Sequence, residues 1–181
     1  LIDIGANLGH ESFDQDLPEV LARARAAGVV QMVITGASRE GSPRALQIAQ
    51  QNPHFLYATA GVHPHHAVEY TQECDREMRA LHQHTEVIAV GECGLDYFRD
   101  LAPRPAQRKA FEQQLQLAAD LQKPLFLHQR DAHDDFLAMM KNFDGQLGKA
   151  VVHCFTGTKK ELYACLDANF YIGITGWLCD E

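Results

Sequence analysis

Glu92, His128 and His153 are the residues of this chain whose types and spacing could do chemistry together. One carboxylate and two imidazoles can hold a divalent cation and leave coordination positions open for water or substrate, the pattern of a hydrolytic metal site. Each of the three closes an apolar run. Val87-Ile-Ala-Val90 leads through Gly91 into Glu92, Pro124-Leu-Phe-Leu127 into His128, and Ala150-Val-Val152 into His153. Runs without polar alternation read as strands buried on both faces, as in a parallel sheet covered by helices. All three side chains are therefore expected at strand carboxyl ends. They lie 36 and 25 residues apart, each about one strand–helix unit with its loops, so consecutive strands would bring them to one point.

The rest of the chain supplies the elements that such a site needs. Strands are expected over Leu1–Gly5, Val29–Thr35, Phe55–Ala60, the three runs above and Phe170–Ile174. Helical spacing covers Leu17–Ala27, with Asp16 as N-cap and Gly28 as stop, then Pro43–Gln51, Thr71–His84, Ala106–Leu121, Asp134–Phe143 and Lys159–Asp167. Ala106–Leu121 is the clearest amphipathic helix, with Ala110, Phe111, Leu115, Ala118 and Leu121 on one face. Strands alternating with helices and no hairpin predict an α/β fold with a parallel sheet. An open doubly wound sheet gathers ligands where strand order reverses. A TIM (β/α)8 barrel places every strand end on one rim and suits groups delivered by successive strands. The barrel is the preferred fold. Closure takes eight strands and typically ~250 residues, so residues 1–181 are expected to form a single hydrolase barrel domain that is incomplete, lacking the eighth strand and final helices.

Composition limits what the site can act on. The chain has 181 residues, 46% hydrophobic and 22% charged, enough for one domain with a sizeable core. Its net charge of -8 argues against a broad basic surface tracking duplex DNA, so an anionic substrate must be gripped locally. No apolar run approaches the ~18 residues of a membrane span, and Leu1-Ile-Asp-Ile-Gly5 does not read as a secretory signal. Cys74, Cys93, Cys154, Cys165 and Cys179 are odd in number and form no Cys-x-x-Cys pair, which reads as reduced, buried thiols in a cytoplasmic protein.

Five blocks carry a family likeness: Gly61-Val-His-Pro-His65, Gly91-Glu-Cys-Gly-Leu-Asp96, His128-Gln-Arg-Asp131, His153-Cys-Phe-Thr-Gly157 and Ile172-Gly-Ile-Thr-Gly-Trp177. In this order they resemble the TatD family of metal-dependent deoxyribonucleases along the whole chain. The resemblance implies a magnesium-dependent 3′ to 5′ exonuclease acting on the 3′ ends of single-stranded DNA or RNA, linked to repair of oxidative damage and monomeric at full length. It places the metal ligands and catalytic residues on Glu92, His128 and His153. Two departures stand out. The segment Asp3-Ile-Gly-Ala-Asn7 has Gly5 and Asn7 where many relatives have a His-x-His pair, and the family's eighth-strand Asp, a ligand and base, has no counterpart up to Glu181.

Two imidazole ligands widen the choice of ion from magnesium to zinc, manganese or iron. His63, His65 and Arg130 are the expected substrate contacts, on phosphate, although both His could instead shape their loop. Tyr97, Phe98 and Trp177 could stack on unpaired bases or belong to the core. Asp96 and Asp131 are candidates for orienting His or Arg side chains. Asp3 is expected to fix a strand end, and His66, His82 and His84 to be solvated. Two rival functions remain: an amidohydrolase or lactonase, which needs an apolar pocket without phosphate cations, and an inactive scaffold that takes up metal without turnover.

Overall fold

The computed structural model describes residues 1–179. Seven strands form one sheet: β1 (Ile2–Ala6), β2 (Gln31–Ile34), β3 (Leu56–Ala60), β4 (Val87–Asp96), β5 (Leu125–Arg130), β6 (Ala150–Val152) and β7 (Tyr171–Ile172). Every neighbouring pair is parallel, and the order in the sheet is the order in the chain. A doubly wound sheet would reverse somewhere; this one advances in a single sense and curls into a half-barrel, as expected.

Six helices make the crossovers: α1 (Leu17–Ala26), α2 (Gly41–Gln51), α3 (Gln72–Leu81), α4 (Arg104–Leu121), α5 (His133–Lys141) and α6 (Lys159–Asp167). Their ends follow local chemistry. Gly28 takes φ +85° just past α1, the left-handed turn that a helix stop favours. Asp16 occupies the N-cap position of α1 without making a side-chain cap bond. Thr71 caps α3, and Thr158 with Glu161 forms a capping box on α6. No helix among the described residues is long and apolar enough to cross a membrane.

The core is thickest between β3, β4, β5 and the helices beside them, where Phe111 of α4 stacks on Phe136 of α5 at 5.5 Å. The buried face of α4 includes Ala110, Phe111, Leu115 and Ala118, with Leu121 only partly buried. It also buries Gln107 and Gln114, which a hydrophobic pattern passes over. Both amides are satisfied: Gln114 accepts from Val62 N–H and donates to Val62 O, and Gln107 does the same for Asp96. Each ties α4 to a segment that builds the rim. The sheet thins outward, with Ile2, Ile4 and Tyr171 exposed on β1 and β7. Cys74, Cys93 and Cys165 are buried and unpaired, whereas Cys179 is exposed.

Three expectations are corrected. β4 does not stop before Glu92 but runs on to Asp96, and β5 likewise passes His128 to reach Arg130. Gly91, at φ +137°, lies in the irregular stretch between Val90 and Cys93, and pairing resumes through Cys93 and Gly94, so the strand continues. Ile88 is 36% exposed rather than buried, because a half-barrel leaves part of its sheet uncovered. His82 is not solvated: it is 4% exposed and its Nε2 lies 3.1 Å from Ala60 O.

His82 gives acid sensitivity a definite origin. Burial pushes its pKa down to about 4, with nearby Lys123 adding to the effect against the hydrogen bond to Ala60 O. The unfolded chain takes up a proton near the ordinary value of 6.5 while the folded chain stays neutral, so the unfolded state binds more protons between pH 6.5 and 4. Stability therefore falls as pH drops through that window, by about 2 kcal/mol from this residue at pH 5, at 1.36 kcal/mol per unit. Urea unfolding of the wild type and of His82→Gln at pH 7 and pH 5 checks this. The variant should lose less stability on acidification, and identical losses would rule the explanation out.

Candidate metal centre

Four neighbouring strand ends, those of β3 to β6, deliver the site. β4 carries Glu92 and Asp96, and β5 pairs with it so that Gly94 lies opposite His128 and Asp96 opposite Arg130. His153 follows β6 directly, its backbone N–H donating to Leu127 O at 2.8 Å. His63 and His65 come from the connection after β3, around the 3₁₀ turn Pro64–Glu69.

Glu92 Oε1 is the meeting point. It lies 3.1 Å from His128 Nδ1, 3.1 Å from His153 Nε2 and 3.6 Å from His63 Nε2. Asp96 stands behind this cluster with its two oxygens divided. Oδ2 is 3.2 Å from His128 Nε2 and 2.7 Å from His65 Nε2, while Oδ1 accepts the backbone N–H groups of Phe98 and Arg99. Glu92 also borders two hollows. One, of about 330 Å³, is lined by His63, His128, Arg130, His153 and Trp177; the other, of about 370 Å³, by Asn7, Thr35, His65 and His153.

The electrostatics follow from this packing. Burial opposes the charged form of Glu92, but hydrogen bonds from His128 and His153 outweigh it and hold the carboxyl well below the usual range. Asp96 is depressed in the same way, against burial, by His128, the Arg99 N–H and His65. His128, caught between the two carboxylates, is lifted to about 9 despite burial. Two carboxylates thus create a potential that favours positive charge beside His128.

The donor set fits a divalent ion. His63, Glu92 and His128 offer atoms all within 4.8 Å of one another, and His153 joins through Glu92 Oε1. With an ion on its Nδ1 in place of a proton, His128 would still give Nε2–H to Asp96, the usual way an outer carboxylate orients a ligand imidazole. His63 is different. Its Nδ1 accepts the His65 N–H at 3.2 Å, and burial pushes its pKa down to about 3. A neutral ring with one lone pair committed must carry its proton on Nε2, so His63 faces Glu92 as a donor.

With the geometry in place, the family model for TatD related DNase matches residues 2–181. The chain belongs to the TatD family. It is 49% identical over 181 residues to a protein of Edwardsiella piscicida named 3'-5' ssDNA/RNA exonuclease TatD, covering 100% of this chain and 70% of that one. A solved TatD-family hydrolase from Entamoeba histolytica superposes with a TM-score of 0.85 at 30% identity, over 97% of this chain and 65% of that one. The TatD homologue YJJV from Escherichia coli K12 does so with a TM-score of 0.86 at 30% identity, over 95% and 66%. The chain thus spans 70% of the Edwardsiella relative and about two thirds of these solved TatD structures.

Of the residues expected at the site, Glu92, His128, His153 and His63 do come together. Arg130 lines the first hollow and makes no ion pair among the described residues. His65 is turned aside, its Nε2 taken by Asp96. Tyr97 is half-buried, its hydroxyl donating to Asp135 at 2.7 Å. Phe98 and Trp177 are exposed at 56% and 61%. Asp131 is exposed and makes no side-chain hydrogen bond or ion pair among the described residues. Asp3 fixes its strand by accepting Gly5 N–H. Asp96 takes the orienting place expected of it, its Oδ2 on the His65 and His128 rings, and the β4–β5 register shows how it reaches His128.

Proposed function

We propose that residues 1–181 form one metal-dependent hydrolase domain that releases nucleotides from the 3′ ends of single-stranded DNA and RNA. The reading rests on one observation: nitrogens of His128 and His153 each lie 3.1 Å from Glu92 Oε1, in a chain whose close relatives are named as such exonucleases.

Glu92, His128 and His153 would hold the ion. Magnesium is the ion that the sequence resemblance implies, and two imidazole donors also suit zinc or manganese. Bound there, a divalent ion supplies the charge that polarises a phosphoryl oxygen and lowers the pKa of a water molecule. The chain's own groups do the remaining work. Asp96 accepts from His128 Nε2 and fixes the ring plane. His63 presents Nε2–H where a phosphate oxygen can replace Glu92 as acceptor. Arg130 offers a guanidinium fork with no ion-pair partner among the described residues, which suits phosphate and would be out of place in a pocket for a small neutral ester or amide. Gripping one terminal phosphate also reconciles substrate binding with a net charge of -8. Trimming of single-stranded ends in the cytoplasm is compatible with repair of oxidised strands.

The test is nucleotide release from 3′-labelled and 5′-labelled single-stranded DNA, across magnesium, manganese and zinc, with and without a chelator. Stepwise loss from the 3′ end that chelation stops supports the reading. Metal uptake without release from either substrate would overturn it in favour of a scaffold.

A further inference from the structure

The loop after β4 holds an exposed aromatic ring that the metal centre does not use. Phe98 is 56% exposed, and it is held outward because Asp96 Oδ1 accepts the N–H groups of both Phe98 and Arg99, at 3.1 and 2.8 Å. Tyr97 N–H, one residue earlier, donates to Arg130 O at 2.9 Å, which docks the loop on the end of β5. The Arg130 guanidinium lies over the Phe98 ring, its Cζ 4.0 Å from the centroid. Most arginines of this acidic chain are tied to carboxylates, including Arg23, Arg39, Arg44, Arg79, Arg104 and Arg108. Arg130 has no such partner among the described residues, yet it lines the hollow containing Glu92, His128 and His153. A guanidinium resting over an aromatic ring is restrained in position, and that of Arg130 has no hydrogen-bond or ion-pair partner among the described residues.

We propose that Phe98 and Arg130 form a nucleobase platform that fixes the strand one step away from the phosphate being cleaved. This rests on the nuclease reading above and names the residues through which that site recognises a nucleic acid rather than a bare phosphoester. The guanidinium edge donates to phosphate, its outer face receives a base, and the Phe98 ring backs the stack. Bases stack on guanidinium planes and aromatic rings without regard to sequence, which suits an enzyme that must accept each new 3′ end. Because Asp96 binds the loop with one oxygen and the His65 and His128 rings with the other, the platform keeps a set distance from the metal centre.

The experiment compares the 181-residue wild type with Phe98→Ala, Phe98→Tyr and Arg130→Lys on a (dT)10 strand and on strands carrying one tetrahydrofuran abasic unit at successive positions from the 3′ end. Phe98→Ala should raise KM for (dT)10 about tenfold with little change in kcat, the lower range for loss of one stacked base. Phe98→Tyr should restore KM. An abasic unit at one position should raise the wild-type KM by a similar factor and leave Phe98→Ala unaffected there. Arg130→Lys keeps the charge but loses the plane, and should resemble Phe98→Ala in its insensitivity to the abasic unit. A KM for Phe98→Ala equal to wild type, or a rise of the same size on every abasic strand, would overturn the platform. Anisotropy of labelled (dT)10 on the same proteins reads the stack without turnover. Weaker binding by Phe98→Ala therefore supports the platform even if no protein releases nucleotide, an outcome that would sink only the nuclease reading. Unchanged thermal unfolding of Phe98→Ala, as expected for an exposed side chain, separates loss of stacking from loss of fold.

Discussion

Glu92→Ala should reduce 3′ nucleotide release by more than about 100-fold. Loss of an outer carboxylate that merely orients a ligand costs 10–100-fold in metal affinity or activity, and Glu92 stands closer in than that. Its Oε1 is the shared neighbour of His63, His128 and His153, and alanine leaves their nitrogens facing one another around a missing negative charge. The remaining carboxylate, Asp96, faces His65 and the outer nitrogen of His128 and cannot substitute. Glu92→Gln keeps the shape and removes the charge, so it should lose nearly as much. Two measurements check this: the rate of release at saturating divalent ion, and the rise in unfolding temperature that the ion produces in the wild type. The variants should lose both together. Release within tenfold of wild type, or an ion-induced shift that survives, would show that the ion sits elsewhere.

Gly94→Ala should destabilise the fold by about 3–5 kcal/mol, the range of substitutions that force a backbone out of place. A Cβ on Gly94 would lie 1.9 Å from the carbonyl oxygen of His128 and 2.9 Å from its carbonyl carbon. The obstruction is backbone in the paired strand, so no rotamer change relieves it, and φ +147° is itself poor for a residue with a side chain. β4 and β5 must part where they hold Glu92, Asp96 and His128. For a domain of this size the loss corresponds to a fall in Tm of about 10 °C, together with weakened metal uptake. Gly9→Ala, where nothing lies within 4 Å of the added carbon, is the matched control and should stay within about 0.5 kcal/mol of wild type. A Gly94→Ala protein as stable as that control would mean that the strands are not packed this closely.

How much of this could be read in advance differs from residue to residue. The alternation of strands and helices was legible because each apolar run has a clear period and each helix has local stop signals such as Gly28. The convergence of Glu92, His128 and His153 was legible because sequential parallel strands place equivalent positions side by side. The extent of β4 was not: glycine normally marks a break in a strand, and only the neighbour reveals that Gly91 and Gly94 serve close approach between strands. His82 reads as solvated because polar residues follow it, Gln83-His84-Thr85, whereas its burial comes from where the end of α3 lands, beside Ala60 of β3. The restraint on Tyr97 comes from Asp135, 38 residues away, and no local pattern announces it. The division of labour within Asp96 and the tautomer of His63 are likewise products of contacts between segments distant in the chain.

β1 and β7, the outermost strands, each have a neighbour on one side only within the sheet of described residues. Both run in the same direction, as every pair in the sheet does, so a stave that kept this parallel pattern with both would run that way too. A tight reverse turn cannot join such a stave to β7; parallel partners need a crossover of a dozen or more residues, with a helix as the common solution. A parallel stave of that kind would be carried over the outside of the molecule, and its carboxyl end would lie on the same rim as the imidazoles.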